Sequence, residues 1–421
     1  MSRLALSLLL VAAVSSPARG AEPAAAPPSP LPFEDVLRAA AERAPLAAAS
    51  VARRDASEAS AGKARRLPNP EATLRVENWR RGTDAHPFDA HADLDVGAEL
   101  SQPLPVFGSW SSRRDEAAAL SRAARAVSRG EVEGVVLEAA RLYLSAVRGR
   151  DLVAALAESR DVLGTMVAAV GKRVAEGWSA EGDLLKLRAE HARSEALLAR
   201  ATLELGDAAA RLAALLGEET PVDPARLAMP RLPALPEGEP EALGRAAAAT
   251  RPAVIEARER LEAARASLRL EKALRAPEPS LTAGYKRTGG LDTALAGISF
   301  PLPFFDTNAT GVARAEAEVR AAEAVARAVE LDSAAGAAGL VRASRTFATR
   351  AEAARTELLG SALGARGAAR ASFREGVSEV LPLVDAERVT AEAVRETLDL
   401  AVDARLATLA ARLALGQEVF P

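Results

Sequence analysis

The 421-residue chain contains no cysteine. Disulfides, thiolate metal sites and a lipid-bearing N-terminal cysteine are thereby excluded. Its three methionines, Met1, Met166 and Met229, are too few and too scattered to make a thioether ladder for soft metals. Glycine-rich phosphate loops, nucleophile elbows and His-x-x-x-His pairs do not occur, so neither enzymatic catalysis nor a cofactor is expected. With 54 basic against 57 acidic residues the net charge is -3, and the arginines interleave with acids at helical spacing, which removes a nucleic-acid footprint. Only 3% of residues are aromatic, and much of the 49% hydrophobic content is alanine. Thin, alanine-lined helix contacts follow, in place of one thick core.

Long apolar runs are also missing. The mostly apolar stretch Leu4–Val14 is far short of the roughly 20 residues of a spanning helix. With Arg3 before it and Ala18-Arg19-Gly20 after it, residues 1–20 read as an export signal. Residues 21–32 then read as a proline-rich linker.

What is present is a duplication. Pro45 and Pro252 each open a helical run, and Pro68-Asn69-Pro70 and Pro277-Glu278-Pro279 each close one. Pro103-Leu104-Pro105 is echoed by Pro301-Leu302-Pro303, and Glu176-Gly177-Trp178-Ser179 by Glu375-Gly376-Val377-Ser378. The offsets are 207, 209, 198 and 199 residues, so two similar units are expected, at 33–217 and 242–416. A proline-rich joint, 218–241, links them, and 417–421 form a tail.

No proline falls between Val106 and Thr220, and Val132, Val135, Val136, Ala139, Leu142, Tyr143, Ala146 and Val147 keep the spacing of one helix stripe. The run 110–176 is long enough for about 100 Å of helix. The return run 181–217 and the run 45–67 together nearly match it, and 306–374 stands in the same relation to 378–416 and 252–275. One long helix beside two shorter ones stacked end to end is therefore expected in each half. Between the helices, period-two alternation predicts strands at about 72–79, 92–102, 280–287 and 291–301, close to the length of a barrel strand. Eight of the 14 aromatics (Trp79, Phe88, Phe107, Trp110, Tyr285, Phe300, Phe304 and Phe305) lie in or beside these blocks, as an interfacial girdle requires. Four strands cannot close a barrel and lipid tolerates no open edge, so a membrane reading demands an oligomer.

Export signal, duplicated helix-strand-strand-helix plan, Pro-x-Pro corners and glycine interruptions together resemble the TolC-like outer-membrane efflux proteins, over 31–416. Leu67-Pro68-Asn69-Pro70-Glu71 and the run Glu99 to Gly108 are most similar to the CzcC and CusC heavy-metal branch. The resemblance implies a mainly α fold with a small β-barrel part, and a homotrimer whose 12 strands close in outer-membrane lipid above an α-helical tunnel. Its implied partners are a periplasmic adaptor and an inner-membrane pump of the RND type, its role a passive exit channel. In this family the tunnel tip is closed by inward-bending helices lined with acids. Asp385 matches one constriction aspartate, Pro382 stands where a second belongs one turn earlier, and Asp183 is the acid of the first copy. Three copies of a carboxylate near an axis repel one another and bind cations. The alternative is that Glu181, Asp183 and Glu379 simply sit at helix N-termini, where acids are favoured. Pro382 is expected to kink its helix inward, and the turns at Gly177 and Gly376 to form the adaptor-docking tip. His86 and His91 with Asp84, Asp89 and Asp93 could in principle hold a metal, but they read as a solvated loop, and His191 reads as an exposed helix residue. The competing function is a soluble periplasmic coiled-coil adaptor or scaffold, which recovery without detergent would reveal.

Overall fold

Proline and glycine set the element boundaries. The structure, a computed structural model, describes residues 30–77, 87, 89–90, 94–377 and 379–417. The export signal, nearly all of the N-terminal linker, His86, His91, Trp79 and Phe88 lie outside the described residues. The first unit runs α1 (Phe33–Arg43), α2 (Pro45–Ala64), β1 (Glu71–Glu77), β2 (Asp95–Pro103), α3 (Ser109–Ala175) and α4 (Glu181–Leu216). The second runs α5 (Pro240–Ala248), α6 (Pro252–Ala273), β3 (Ser280–Thr288), β4 (Leu291–Ser299), α7 (Ala309–Ala353), α8 (Gly360–Arg374) and α9 (Val380–Ala414). Pro45, Pro240 and Pro252 each occupy a first helical position, where the missing N–H has no partner to lose.

Several boundaries differ from the expectation. Each unit opens on a short separate helix, α1 or α5, and α5 begins at Pro240, inside the stretch read as linker. The second long helix is not uniform: residues Ala354–Leu359 form a π-helical turn between α7 and α8. Period and composition do not report such a turn. Strand β4 stops at Ser299, before Pro301, which has no N–H to give a ladder.

Helix α3 carries 67 residues. It packs against α4 along one half and against α2 and α6 along the other. Gly217, ending α4, lies against the Pro45 ring that opens α2, and Gly416, ending α9, lies against Thr250 just before α6. The short helices are thus stacked end to end, as their summed lengths suggested.

Where the stacks join, the largest apolar cluster forms from Phe33 and Leu37 of α1, Tyr143 and Val147 of α3, Leu212 of α4, Leu227 of the proline-rich joint and Leu409 of α9. Phe33 meets Tyr143 edge to face at 5.1 Å. The stretch 218–239 of that joint holds five prolines, so its backbone cannot pair regularly, and side chains take its polar groups instead. The Tyr143 hydroxyl accepts from the Ala228 N–H at 3.0 Å, Arg405 donates to the Pro230 carbonyl at 3.0 Å, and Arg345 donates to that of Gly238 at 2.8 Å.

The four strands form one antiparallel sheet in the order β1-β2-β3-β4. Its register aligns Leu74, Ala98, Tyr285 and Ala294 in one row and Ala72, Leu100, Ala283 and Ala296 in the next. All eight are exposed, so one face of the sheet is an uncovered apolar surface. The other face carries Thr73, Arg75, Glu77, Glu99, Ser101, Thr282 and Lys286, with Glu77 paired to Arg75 at 3.3 Å and to Lys286 at 3.4 Å. A two-residue turn joins β3 to β4 through Gly289 and Gly290, both at positive φ. Phe107, Phe300, Phe304 and Phe305 stand exposed where the strands meet the helices.

Candidate functional site

Each long hairpin ends on the same turn chemistry. After α3, Gly177 adopts φ 77°, its N–H donates to the Val174 carbonyl, and the Trp178 N–H reaches back to Arg173 at 2.7 Å. After α8, Gly376 adopts φ 75°, its N–H donates to Phe373, and the Val377 N–H reaches Ser372 at 2.9 Å. This paired bond pattern around a left-handed residue is the Schellman closure, which glycine accepts without a Cβ clash. The two turns lie side by side: Leu163, Met166 and Val170 of α3, Leu184 and Leu187 of α4, Phe373 of α8 and Leu383 of α9 form one cluster, and the Arg173 guanidinium sits 5.5 Å from the Phe373 ring. Beyond that cluster Trp178 is 80% exposed and Val377 is 78% exposed.

The expected acids fall near the starts of the return helices, Asp183 in the first turn of α4 and Asp385 in the second turn of α9. Asp183 faces Lys186 at 3.7 Å, and Asp385, 58% exposed, accepts from Arg388 at 2.7 Å. That bond, more than the accompanying charge, holds the Arg388 guanidinium above its ordinary pKa. Glu181 is the first residue of α4, and Glu379 occupies the cap position of α9 without a side-chain cap bond. The kink expected at Pro382 is corrected here. Helix α9 begins at Val380, so Pro382 is its third residue, within the first turn, where the backbone N–H has no intrahelical acceptor. It starts the helix and does not bend it. His191 is also not simply exposed: its ring packs over Gly164, with Glu195 at 4.0 Å.

Above the tip, charge joins the two hairpins. Glu158 of α3 meets Arg366 and Arg370 of α8, each at 3.5 Å. Arg193 of α4 meets Glu392 of α9 at 3.7 Å, and Arg148 of α3 is bonded to Asp399 of α9. Inside the seam Glu387 is 1% exposed; it accepts from Arg370 at 2.6 Å, with the Ser159 hydroxyl at 3.5 Å. The bond to Glu387 is the main cause that holds Arg370 above its ordinary pKa. Sequence reasoning missed this seam. One signal was legible: Val380, Leu383, Glu387, Thr390 and Ala393 form one buried stripe of α9, with a carboxylate where the period calls for an apolar residue. Among the described residues no cluster of His, Cys, Asp or Glu is arranged to hold a metal ion.

A duplicated long-hairpin body carrying a sheet with one apolar and one polar face has the form of a protomer of a barrel channel with a helical tunnel. The sequence model of the family "Outer membrane efflux protein" matches residues 36–218 and 243–417, and the chain belongs to that family. Its place is accordingly the outer membrane, with the helices extending into the periplasm. The chain is 28% identical over 281 residues to the cobalt-zinc-cadmium resistance protein CzcC of Cupriavidus metallidurans, a match covering 66% of this chain and 64% of that protein. The fold is similar to that of CusC, with a TM-score of 0.74, 18% identity and 92% of each chain covered. It is also similar to the outer membrane protein VceC of Vibrio cholerae, with a TM-score of 0.73, 22% identity, and 91% of this chain and 96% of that one covered.

Proposed function

We propose that this protein is the exit duct of a tripartite efflux system, a homotrimer that conducts passively from an inner-membrane pump and a periplasmic adaptor to the exterior. The observation that carries the reading is the sheet. Its apolar face is uncovered, the outer edges of β1 and β4 have no partner strand among the described residues, and lipid accepts neither an open edge nor an unclosed barrel. Three copies supply 12 strands and put Arg75, Glu77, Glu99 and Lys286 in a wet lumen. The exposed Trp178 and Val377 at the closed turns suit docking of an adaptor, and a pump of the RND type would supply the energy. Likeness to a cobalt-zinc-cadmium resistance protein favours heavy-metal cations as cargo.

Conduction then depends on the tip. Asp385, and to a lesser degree Asp183, are assigned to a cation-sensitive constriction, with Glu181 and Glu379 as neighbouring acids. The seam pairs hold the two hairpins together, so opening requires some of them to part. Detergent-extracted protein inserted in a planar bilayer should give discrete conductance steps that divalent cations block from the tip side. Asp385→Ala should weaken that block by about an order of magnitude, since exposed fixed charges concentrate counter-ions by electrostatic focusing. Recovery of the protein in the soluble periplasm without detergent would overturn the duct. Channels blocked equally in wild type and variant would remove Asp385 from the constriction.

A further inference from the structure

Between α3, α4 and α9, along the seam between the hairpins, lies a slot of about 200 Å³. Its floor is leucine: Leu152, Leu156 and Leu163 from α3 and Leu197 from α4. Apolar cavities of about 150 Å³ stay dry and admit benzene, so this volume suits a ring or short chain with one substituent. One polar atom of the wall is unsatisfied. Ser194 of α4 is 6% exposed, and its hydroxyl has no hydrogen-bond partner. Buried hydroxyls nearby are matched: Thr390 donates to the Ala386 carbonyl at 2.7 Å, and Thr397 to that of Ala354 at 3.4 Å. A buried polar atom without a partner is an exception that asks for one. The rim sets the charge of what enters. Four acids and four arginines line it, so it carries no net charge, and the buried carboxylate of Glu387 is already engaged by Arg370.

We propose that this slot binds a small uncharged amphiphile, an aromatic or short alkyl body that lies on the leucines and carries one hydroxyl or amide group to Ser194. Its walls belong to both hairpins, α4 to the first and α9 to the second, so a molecule lodged there touches both at once. The site rests on the slot's own geometry and does not require the duct reading to hold.

The absence of native cysteine makes the test clean. In the purified full chain, the Ser194→Cys thiol is treated with benzyl methanethiosulfonate or with its trimethylammonium-ethyl counterpart. The thiolate attacks the reagent's sulfenyl sulfur, methanesulfinate leaves, and the mixed disulfide is read by mass. Because thiol labelling follows access, the benzyl reagent should react roughly tenfold faster at Ser194→Cys, whereas the exposed control Leu203→Cys should show no such preference. Adding Ala201→Leu, which fills the slot from α4, should abolish the preference. Without any cysteine, the fluorine signal of 4-fluorobenzyl alcohol should broaden with the wild-type chain and sharpen with Ala201→Leu at equal detergent. Leu197→Trp fills the slot from another position, should the first filling variant fail to fold. Equal rates for the two reagents, no labelling by either, or broadening that survives both filling variants would overturn the site.

Discussion

Glu387 shows how much one side chain carries in a thin helical body. It sits in the apolar stripe of α9, fully desolvated, with Arg370 as its counter-ion. Removing one partner of a buried pair typically costs about 3–5 kcal/mol, because the other charge is left stranded, whereas an apolar replacement of both is often neutral. Glu387→Gln should therefore lower the melting temperature of the detergent-extracted protein clearly, and Glu387→Leu with Arg370→Leu should restore most of the loss. A double variant no more stable than the single one would show that the pair itself, and not the stranded charge, sets stability there. The exposed pair Asp385–Arg388 stands in contrast: high dielectric and screening leave such pairs at about 0–1 kcal/mol, so Asp385 is free to serve conduction without cost to the fold.

At the scale of elements, turns and helix starts decide where the hairpins end. Gly177 and Gly376 hold left-handed backbone that costs a residue with a Cβ roughly 1–2 kcal/mol, and a β-branched one more. Gly376→Val should leave outer-membrane insertion intact while reducing adaptor co-purification, which a pull-down from solubilised membranes would measure; undiminished recovery would place docking away from this turn. Pro382 leads to the opposite expectation. As third residue of α9 it breaks no hydrogen bond, so Pro382→Ala should leave single-channel conductance and cation block unchanged. A changed conductance would mean that α9 bends at this proline after all. The π-helical turn at Ala354–Leu359 marks where α7 passes into α8, with Thr397 of α9 donating to the Ala354 carbonyl at its start.

For the whole molecule, closure of the sheet is the governing constraint. Four strands give two unpaired edges, and β4 of one chain is antiparallel to β1 of the next when copies are set side by side. Cross-linking of the detergent-extracted protein should give a ladder that stops at three chains, each of 43.7 kDa before any signal is removed. A ladder that stops at two or continues past three would overturn the 12-stranded barrel. The same closure would turn Phe107, Phe300, Phe304 and Phe305 into a belt of aromatics around the lower rim.

The sequence by itself determined the repetition, the helix lengths, the alternation of the strands and the two glycine turns. Each of these is a local property, set by proline's missing N–H, glycine's freedom at positive φ, or a period of 3.6 or 2 residues. Asp183 and Asp385 were singled out by resemblance to the family's tip motif, and the structure puts both near the starts of the return helices. What the tertiary structure decided was which charges meet. Glu158 and Arg370 are 212 residues apart in the chain, and Ser159 and Glu387 are 228 apart, so no spacing within one helix announces them. The structure also placed Pro382 inside the first turn of α9, a shift of only a few residues that changes its effect from bending the helix to starting it. Local periodicity fixes which face of a helix is apolar. The neighbour against which that face is buried, and the charge that must then be paired there, follow only from the way the two hairpins pack.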